Sequence, residues 1–232
     1  MTTVLLERSF RVVPAVRAAL GDILPVVLGV IPFALTIGAT AVTTSVSPVA
    51  SWLGGPLIAA GSAHLTTISL LGAGTSAMGV VLAALVVNAR LAAYSAVLAP
   101  RFATQPAWFR WVGPYVLVDQ TFALVVSRGD GDGEAFRTYL LTASVVLLTA
   151  WVTAITVGMA LGPVIPRSWE LWFATPLMFT AMAIPSTKNR PGLVAALTGA
   201  VLAIVLVHIP SGLGLITAIV VGAIAGYRTD KP

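Results

Sequence analysis

The sequence predicts an all-α, polytopic integral membrane bundle of about eight (seven to eight) transmembrane segments, some of them interrupted. Three observations carry that prediction. Only 9% of the 232 residues are charged and 58% are hydrophobic, against about 25% charged in a typical soluble domain. Long stretches, 23–89, 138–166, 171–187 and 191–227, hold no Asp, Glu, Lys or Arg. Twenty-one Gly and fifteen Pro point to closely packed, interrupted helices, since both residues are commoner in membrane helices than in soluble ones. A soluble enzyme, a disordered chain and a coiled coil are excluded by this composition. The absence of cysteine removes disulfides, thiolate metal sites and cysteine nucleophiles. The net charge of +5 is read as loop arginines that orient helices. No basic run interleaved with aromatics suggests a nucleic-acid partner.

A membrane helix needs about 20 apolar residues. The segments fall at 21–44, 50–72, 77–98, 111–128, 138–161, 169–187, 191–208 and 211–227. Residues 1–20 form a basic, amphipathic lead-in at the cytoplasmic surface, 21–227 a single transmembrane domain, and 228–232 a cytoplasmic tail. No A-x-A-like site follows the first apolar stretch as a cleaved signal peptide requires. If all eight segments cross with both termini inside, nine basic residues lie inside and three outside. If the second segment alone re-entered without crossing, the split would be six to six. The positive-inside rule therefore favours eight crossings. Trp108, Trp111, Trp169, Trp172 and Tyr227 fall near segment ends, where amphipathic rings anchor. The acidic turn Gly129–Glu134 reads as a solvated loop, because it lacks the closing Glu and other ligands of a calcium loop. The last two segments, joined by Ile209-Pro210-Ser211, suggest a tight hairpin, and Gly222 and Gly226 form a GxxxG suited to close helix contact.

Ionisable groups at membrane depth cost about 2.5–3.5 kcal/mol each on insertion scales, so each invites a functional reading. His64, Arg90 and Asp119 qualify, with Asn88 and Gln120 beside them; His208 sits at a segment end. His64 lies in Gly61-Ser62-Ala63-His64, between Gly54-Gly55-Pro56 and Gly72-Ala73-Gly74. A span interrupted by Gly and Pro points to a substrate site, because the break frees backbone groups at mid-membrane. The competing reading is a helix kink whose His bonds to a neighbouring helix. In the third segment Asn88 and Ser95 share one face, and Arg90 and Tyr94 another. A helix polar on both faces is expected at the centre of the bundle. Arg90 either snorkels outward or pairs with a carboxylate. Asp119, near the middle of the fourth segment, is either its counter-ion or a proton carrier. Thr149, Thr153 and Thr156 read as helix–helix glue, and Pro176 and Pro185 interrupt the sixth segment.

These residues resemble a known family. The run Ala60-Gly61-x-x-His64-Leu65, then Asn88-x-Arg90-x-x-x-Tyr94-Ser95 with Leu98-Ala99-Pro100, then Asp119-Gln120-x-Phe122-Ala123, is similar to the AzlC family. Its members are large subunits of bacterial branched-chain amino-acid exporters. The likeness runs from about Gly21 to Tyr227, and the Asn-x-Arg…Tyr-Ser block is its most specific part. The chain departs from the family pattern at His64, where Gln is common, at Leu91, where His is common, and at Gln120, where Glu is common.

The resemblance implies a multi-pass transporter of the bacterial inner (plasma) membrane that exports Val, Leu, Ile, Met or similar small apolar amino acids. It also implies a small AzlD-like hydrophobic subunit; a homo-oligomer is compatible with it. The residues expected to bind substrate are Gly61, Ser62, His64, Asn88, Arg90 and Tyr94, with Asp119 and His64 as proton-coupling or counter-ion groups. A zwitterion needs a cation or helix N-terminal N–H groups for its carboxylate, and a carboxylate or free carbonyls for its ammonium. No cofactor or metal is expected, and no nucleotide-binding G-x-x-x-x-G-K-[ST] is present. The alternatives are a channel and an assembly subunit of another membrane complex. An intramembrane enzyme is disfavoured, because a helix points Ser62 and His64 roughly 200° apart.

Overall fold

The computed structural model of the chain describes residues 2–58, 60–128, 133–164, 180, 184–209 and 213–229. Two compact units, Met1–Trp172 and Phe173–Pro232, divide it. Helices account for every regular element among the described residues. The first unit comprises α1 (Thr2–Thr43), α2 (Pro48–Ile58), α3 (Gly61–Gly72), α4 (Ala77–Ala103), α5 (Ala107–Tyr115), α6 (Asp119–Arg128) and α7 (Glu134–Leu161). The second comprises a 3-10 turn (Ile184–Lys188), α8 (Arg190–Val205) and α9 (Leu213–Thr229). Three of the described helices are long and apolar enough to cross a membrane: Val12–Thr43 of α1, Ala77–Ala103 and Glu134–Leu161.

Helices α1 and α7 make the centre of the first unit. Ile23, Val27, Val30, Phe33, Ala34, Ile37 and Ala41 form the buried stripe of α1, at the three- and four-residue spacing of one helix face. Asp22 meets Tyr139, Phe33 meets Trp151, and Gly38 meets the Ile155 carbonyl. The numbers rise together, so the two helices run parallel. Gly38 and Gly158 let the backbones touch: a methyl group on either would overlap the backbone of the other helix. In lipid this close approach is what holds helices together, because apolar side chains gain nothing by leaving lipid for one another.

The second and fourth apolar segments are not single long helices. A single broken span would separate Ser51 from His64 by about 20 Å along its axis at 1.5 Å per residue. Instead the His64 ring lies 2.7 Å from the Ser51 carbonyl. At the end of α3, a Cβ on Gly72 would come 3.0 Å from Thr44, just past the end of α1. So α2 descends from the far end of α1, and α3 climbs back to the same end. Gly74, at φ 77°, then turns the chain into α4, whose N-terminus Ser76 caps by accepting from Gly79 N. The α5–α6 pair does the same from the opposite side. Phe109 of α5 packs on Phe136 at the start of α7, and Arg128 at the end of α6 returns to Asp22 and Tyr139. Each half-helix is 9 to 12 residues long, about 14–18 Å, roughly half of the 30 Å hydrocarbon core. Where single helices are expected at 50–72 and 111–128, the chain forms two helical hairpins, α2–α3 and α5–α6, packed against α1 and α7 from opposite ends. Segment length alone misleads here, because a hairpin with a mid-depth reversal contains as many apolar residues as a span.

The topology is an inverted repeat. Hairpin α2–α3 is followed by α4 running one way, and hairpin α5–α6 by α7 running the other. It also improves the charge distribution. Arg8, Arg11, Arg17, Arg101, Arg110, Arg128 and Arg137 all belong to the end where α1 begins, while residues 44–76, at the other end, carry no charge. Within the first unit two opposed hairpins put these seven arginines at one end, the kind of asymmetry that orients membrane helices. A second correction concerns α4. Only 6% of its apolar window is buried, so within this unit it stands at the rim and the centre belongs to α1 and α7.

In the second unit α8 and α9 form the expected hairpin. Cβ atoms on Gly222 and Gly226 would fall 2.9 Å from the Ala195 carbonyl oxygen and 2.8 Å from Ala195 Cβ, so the GxxxG face is the contact. Gly226→Leu should loosen the pair by about 1–3 kcal/mol through overpacking. In this cysteine-free chain, oxidative cross-linking between Gly199→Cys and Ala218→Cys should fall several-fold when Gly226→Leu is added. Unchanged cross-linking would place the contact elsewhere. Trp169, Trp172, Pro176 and most of the acidic turn, 129–132, lie outside the described residues. Trp108 and Trp111 are exposed at the start of α5, and Tyr227 is exposed on α9.

Candidate functional site

The tips of the two hairpins meet. Tyr115, the last residue of α5, donates to the carbonyls of Pro56 and Leu57 at 2.7 and 3.1 Å. These are end carbonyls of α2, which have no helical partner of their own. The Val116 carbonyl at the second tip accepts from Ser144 Oγ of α7 at 3.2 Å and from Thr121 Oγ1 at 3.3 Å. Reversing a chain inside lipid strands backbone groups, and these side chains satisfy them. Sequence reasoning missed Tyr115, Thr121 and Ser144. The available signal was Pro114 before a Tyr, followed five residues later by an Asp.

Arg90 of α4 bridges the two tips. Its Nη2 donates to Ser62 Oγ of α3 at 2.7 Å and lies 3.0 Å from Asp119 Oδ2, in the first turn of α6. Tyr94, one turn along from Arg90, donates to Asp119 Oδ1 at 2.9 Å. Its ring stacks on Phe122, with centroids 4.1 Å apart. Ser62, Arg90, Tyr94 and Asp119 thus form one cluster, as the shared face of Arg90 and Tyr94 implies. Arg90 Nε and Asn88 Oδ1 are buried without a hydrogen-bond partner among the described residues. The pair is not sealed: the Arg90 and Asp119 side chains keep 29% and 15% of their surface.

Electrostatics explains why the pair sits here. The N-terminal ends of α3 and α6 both open at the tips, each adding partial positive charge. Ala60, before α3, is extended and offers no side-chain cap, so the first N–H groups of α3 have no intrahelical acceptor. With Arg90 between them the region is strongly positive. Asp119 is the one carboxylate the described contacts bring to it.

Two expected site residues serve the hairpin itself. The buried His64 ring bonds the Ser51 carbonyl, and because a carbonyl only accepts, Nε2 carries the proton. Gly61 packs flush on Phe33 and Trp151, which a Cβ would approach to 2.7 and 2.6 Å. Gly54 passes under the His64 ring, 2.6 Å from Nε2 to a would-be Cβ. Gly54→Val should push the ring off Ser51 and destabilise the protein by about 1–3 kcal/mol. The thermal midpoint in detergent reads this, and His64→Ala added to Gly54→Val should recover part of the loss.

A family model described as AzlC protein matches residues 25–165. The chain belongs to the AzlC family. In this AzlC chain the match covers both hairpins, the Arg90–Asp119 cluster and most of the first unit. The chain is 27% identical over 203 residues to a protein of Archaeoglobus fulgidus described as an uncharacterized membrane protein, covering 85% of this chain and 88% of the relative. It is 32% identical over 108 residues to a Helicobacter pylori protein of the same description, covering 45% and 46%. No solved structure matches it.

Proposed function

We propose that this AzlC protein is a secondary-type transporter that exports branched-chain or similar small apolar amino acids, working with a small AzlD-like membrane subunit. The observation that carries the reading is Arg90 held between the N-terminal ends of α3 and α6, the second arms of the two hairpins, and paired there with Asp119. Interrupted helices whose N-termini meet near the midplane of an inverted repeat are the usual place for an anionic substrate group. A zwitterion fits by exchange: its carboxylate takes Arg90, Ser62 and the open N–H groups of α3, and Asp119, released from Arg90, takes its ammonium. The Tyr94–Phe122 stack walls the cluster and suits an apolar side chain. In this reading His64 positions the first hairpin, and Asp119 carries any coupled proton. The arginine-rich end faces the cytoplasm of a bacterial inner membrane.

Counterflow of labelled Val, Leu, Ile and Met in proteoliposomes, with and without a pH gradient, tests the proposal. Saturable counterflow, driven by unlabelled substrate on the opposite side, is the expected result. Flux that neither saturates nor shows counterflow would mark a channel instead.

A further inference from the structure

A second polar cluster lies at the mouth of the second hairpin, on the arginine-rich side. Asp22 of α1 and Arg128 of α6 form an ion pair of 2.7 Å, and Tyr139 of α7 donates to the same oxygen, Asp22 Oδ2, at 2.8 Å. Both partners stand at the edge of an open recess of about 430 Å³ lined by Gly21, Asp22, Pro25, Leu124, Ser127 and Arg128. Asp22 and Arg128 retain 37% and 42% of their side-chain surface. Asp22 Oδ1 has no hydrogen-bond partner among the described residues, and Arg128 uses only Nη1. The recess therefore offers a free carboxylate oxygen and free guanidinium N–H groups side by side, with Leu124 and Pro25 as an apolar wall. It lies at the foot of α6, whose 10 residues span about 15 Å and end at Asp119 in the central cluster.

We propose that this recess is a loading site for zwitterionic amino acids. The ligand's carboxylate bonds to Arg128, its ammonium to Asp22 Oδ1, and its apolar side chain lies against Leu124 and Pro25. The Asp22–Arg128 pair need not break, since each partner keeps free bonding capacity. An ion pair serves this ligand better than a lone charge. It matches both ends of a zwitterion, and it binds a simple carboxylate or amine poorly, because the unmatched half of the pair repels it. Half-exposed charges bind weakly, as a loading site must if the ligand is to pass on to the central cluster. The assignment of amino acids as ligand rests on the proposed function; the site itself is additional to it.

The natural chain has no cysteine, so Ser127→Cys is a clean reporter on the recess wall. Its modification by a charged, membrane-impermeant thiosulfonate is measured in inside-out vesicles. Leucine should slow the rate at least threefold, while 4-methylpentanoate and 3-methylbutylamine at the same concentration should not. Asp22→Asn and Arg128→Gln should each remove the protection, and Arg90→Gln should keep it while losing counterflow. Gly21→Cys, whose Cβ would meet nothing within 4 Å, repeats the test should Ser127→Cys fold poorly. Lack of protection by leucine overturns the proposal, and so does equal protection by either singly charged analogue. Protection that survives Asp22→Asn but not Arg90→Gln also overturns it, since it would then arise in the central cluster. Counterflow without protection removes the loading site alone. Protection without counterflow supports the site and removes the transport reading instead.

Discussion

Arg90→Gln is expected to bring leucine counterflow down to the background of empty liposomes, and Asp119→Asn to do the same. Each single substitution leaves a charge in the membrane without its partner. Breaking a buried pair this way costs about 3–5 kcal/mol, with the lower end fitting side chains that keep 29% and 15% of their surface. Both single variants should therefore also melt at a lower temperature in detergent. The double variant, Arg90→Gln with Asp119→Asn, separates the two roles. It removes both charges, and neutralising a buried pair together is often nearly neutral for stability. Its melting temperature should return toward that of the wild type while counterflow stays at background. Recovery of counterflow in the double variant would show that the pair is only structural, and the substrate would have to bind elsewhere.

Gly158→Leu is expected to produce the largest loss of stability. A side chain there points into the backbone of α1 at Leu35, and Gly38 faces the Ile155 carbonyl in the same way. Overpacking usually costs about 1–3 kcal/mol and more where nothing can yield; a helix backbone cannot swing aside as a side chain does. Gly158→Ala should be intermediate, since it adds one methyl group to the same contact. The order wild type, Gly158→Ala, Gly158→Leu in melting temperature and in yield after detergent extraction is the result to look for. Equal melting of Gly158→Leu and wild type would mean that α1 and α7 do not pack through these glycines. Both hairpins rest on this helix pair, α2–α3 through Gly55 and Gly61 on Ile155 and Trp151, α6 through Arg128 on Asp22. Loss of the contact should therefore also abolish counterflow.

Much of the site was legible in the residues. Arg90 and Tyr94 are four apart on a helix and reach the same carboxylate, which the helical period implies. The cost of Arg90 and Asp119 in lipid marks both as candidates, but snorkelling and proton carriage stay open in the sequence, and the 3.0 Å contact is what pairs them. The interruption of the second segment is visible in its glycines and proline, although helix α2 runs through Pro56 to Ile58 before α3 begins at Gly61. The interruption of the fourth was not seen, because Pro114 alone resembles an ordinary kink. No sequence pattern singles out Asp22; its contacts with Arg128 and Tyr139 give it a role.

By itself the sequence determined the environment and the cast of this protein: a chain this poor in charge belongs in lipid, and its few buried charges mark the chemistry. Tertiary structure alone decided which apolar segments run as one long helix and which fold back as hairpins. Hydropathy measures whether a segment tolerates the bilayer, and a re-entrant hairpin tolerates it as well as a span does. What tells them apart is whether Ser51 meets His64 and Arg128 meets Asp22. Those are contacts between residues far apart in the chain, set by how the tips pack on α1 and α7, and no local pattern encodes them.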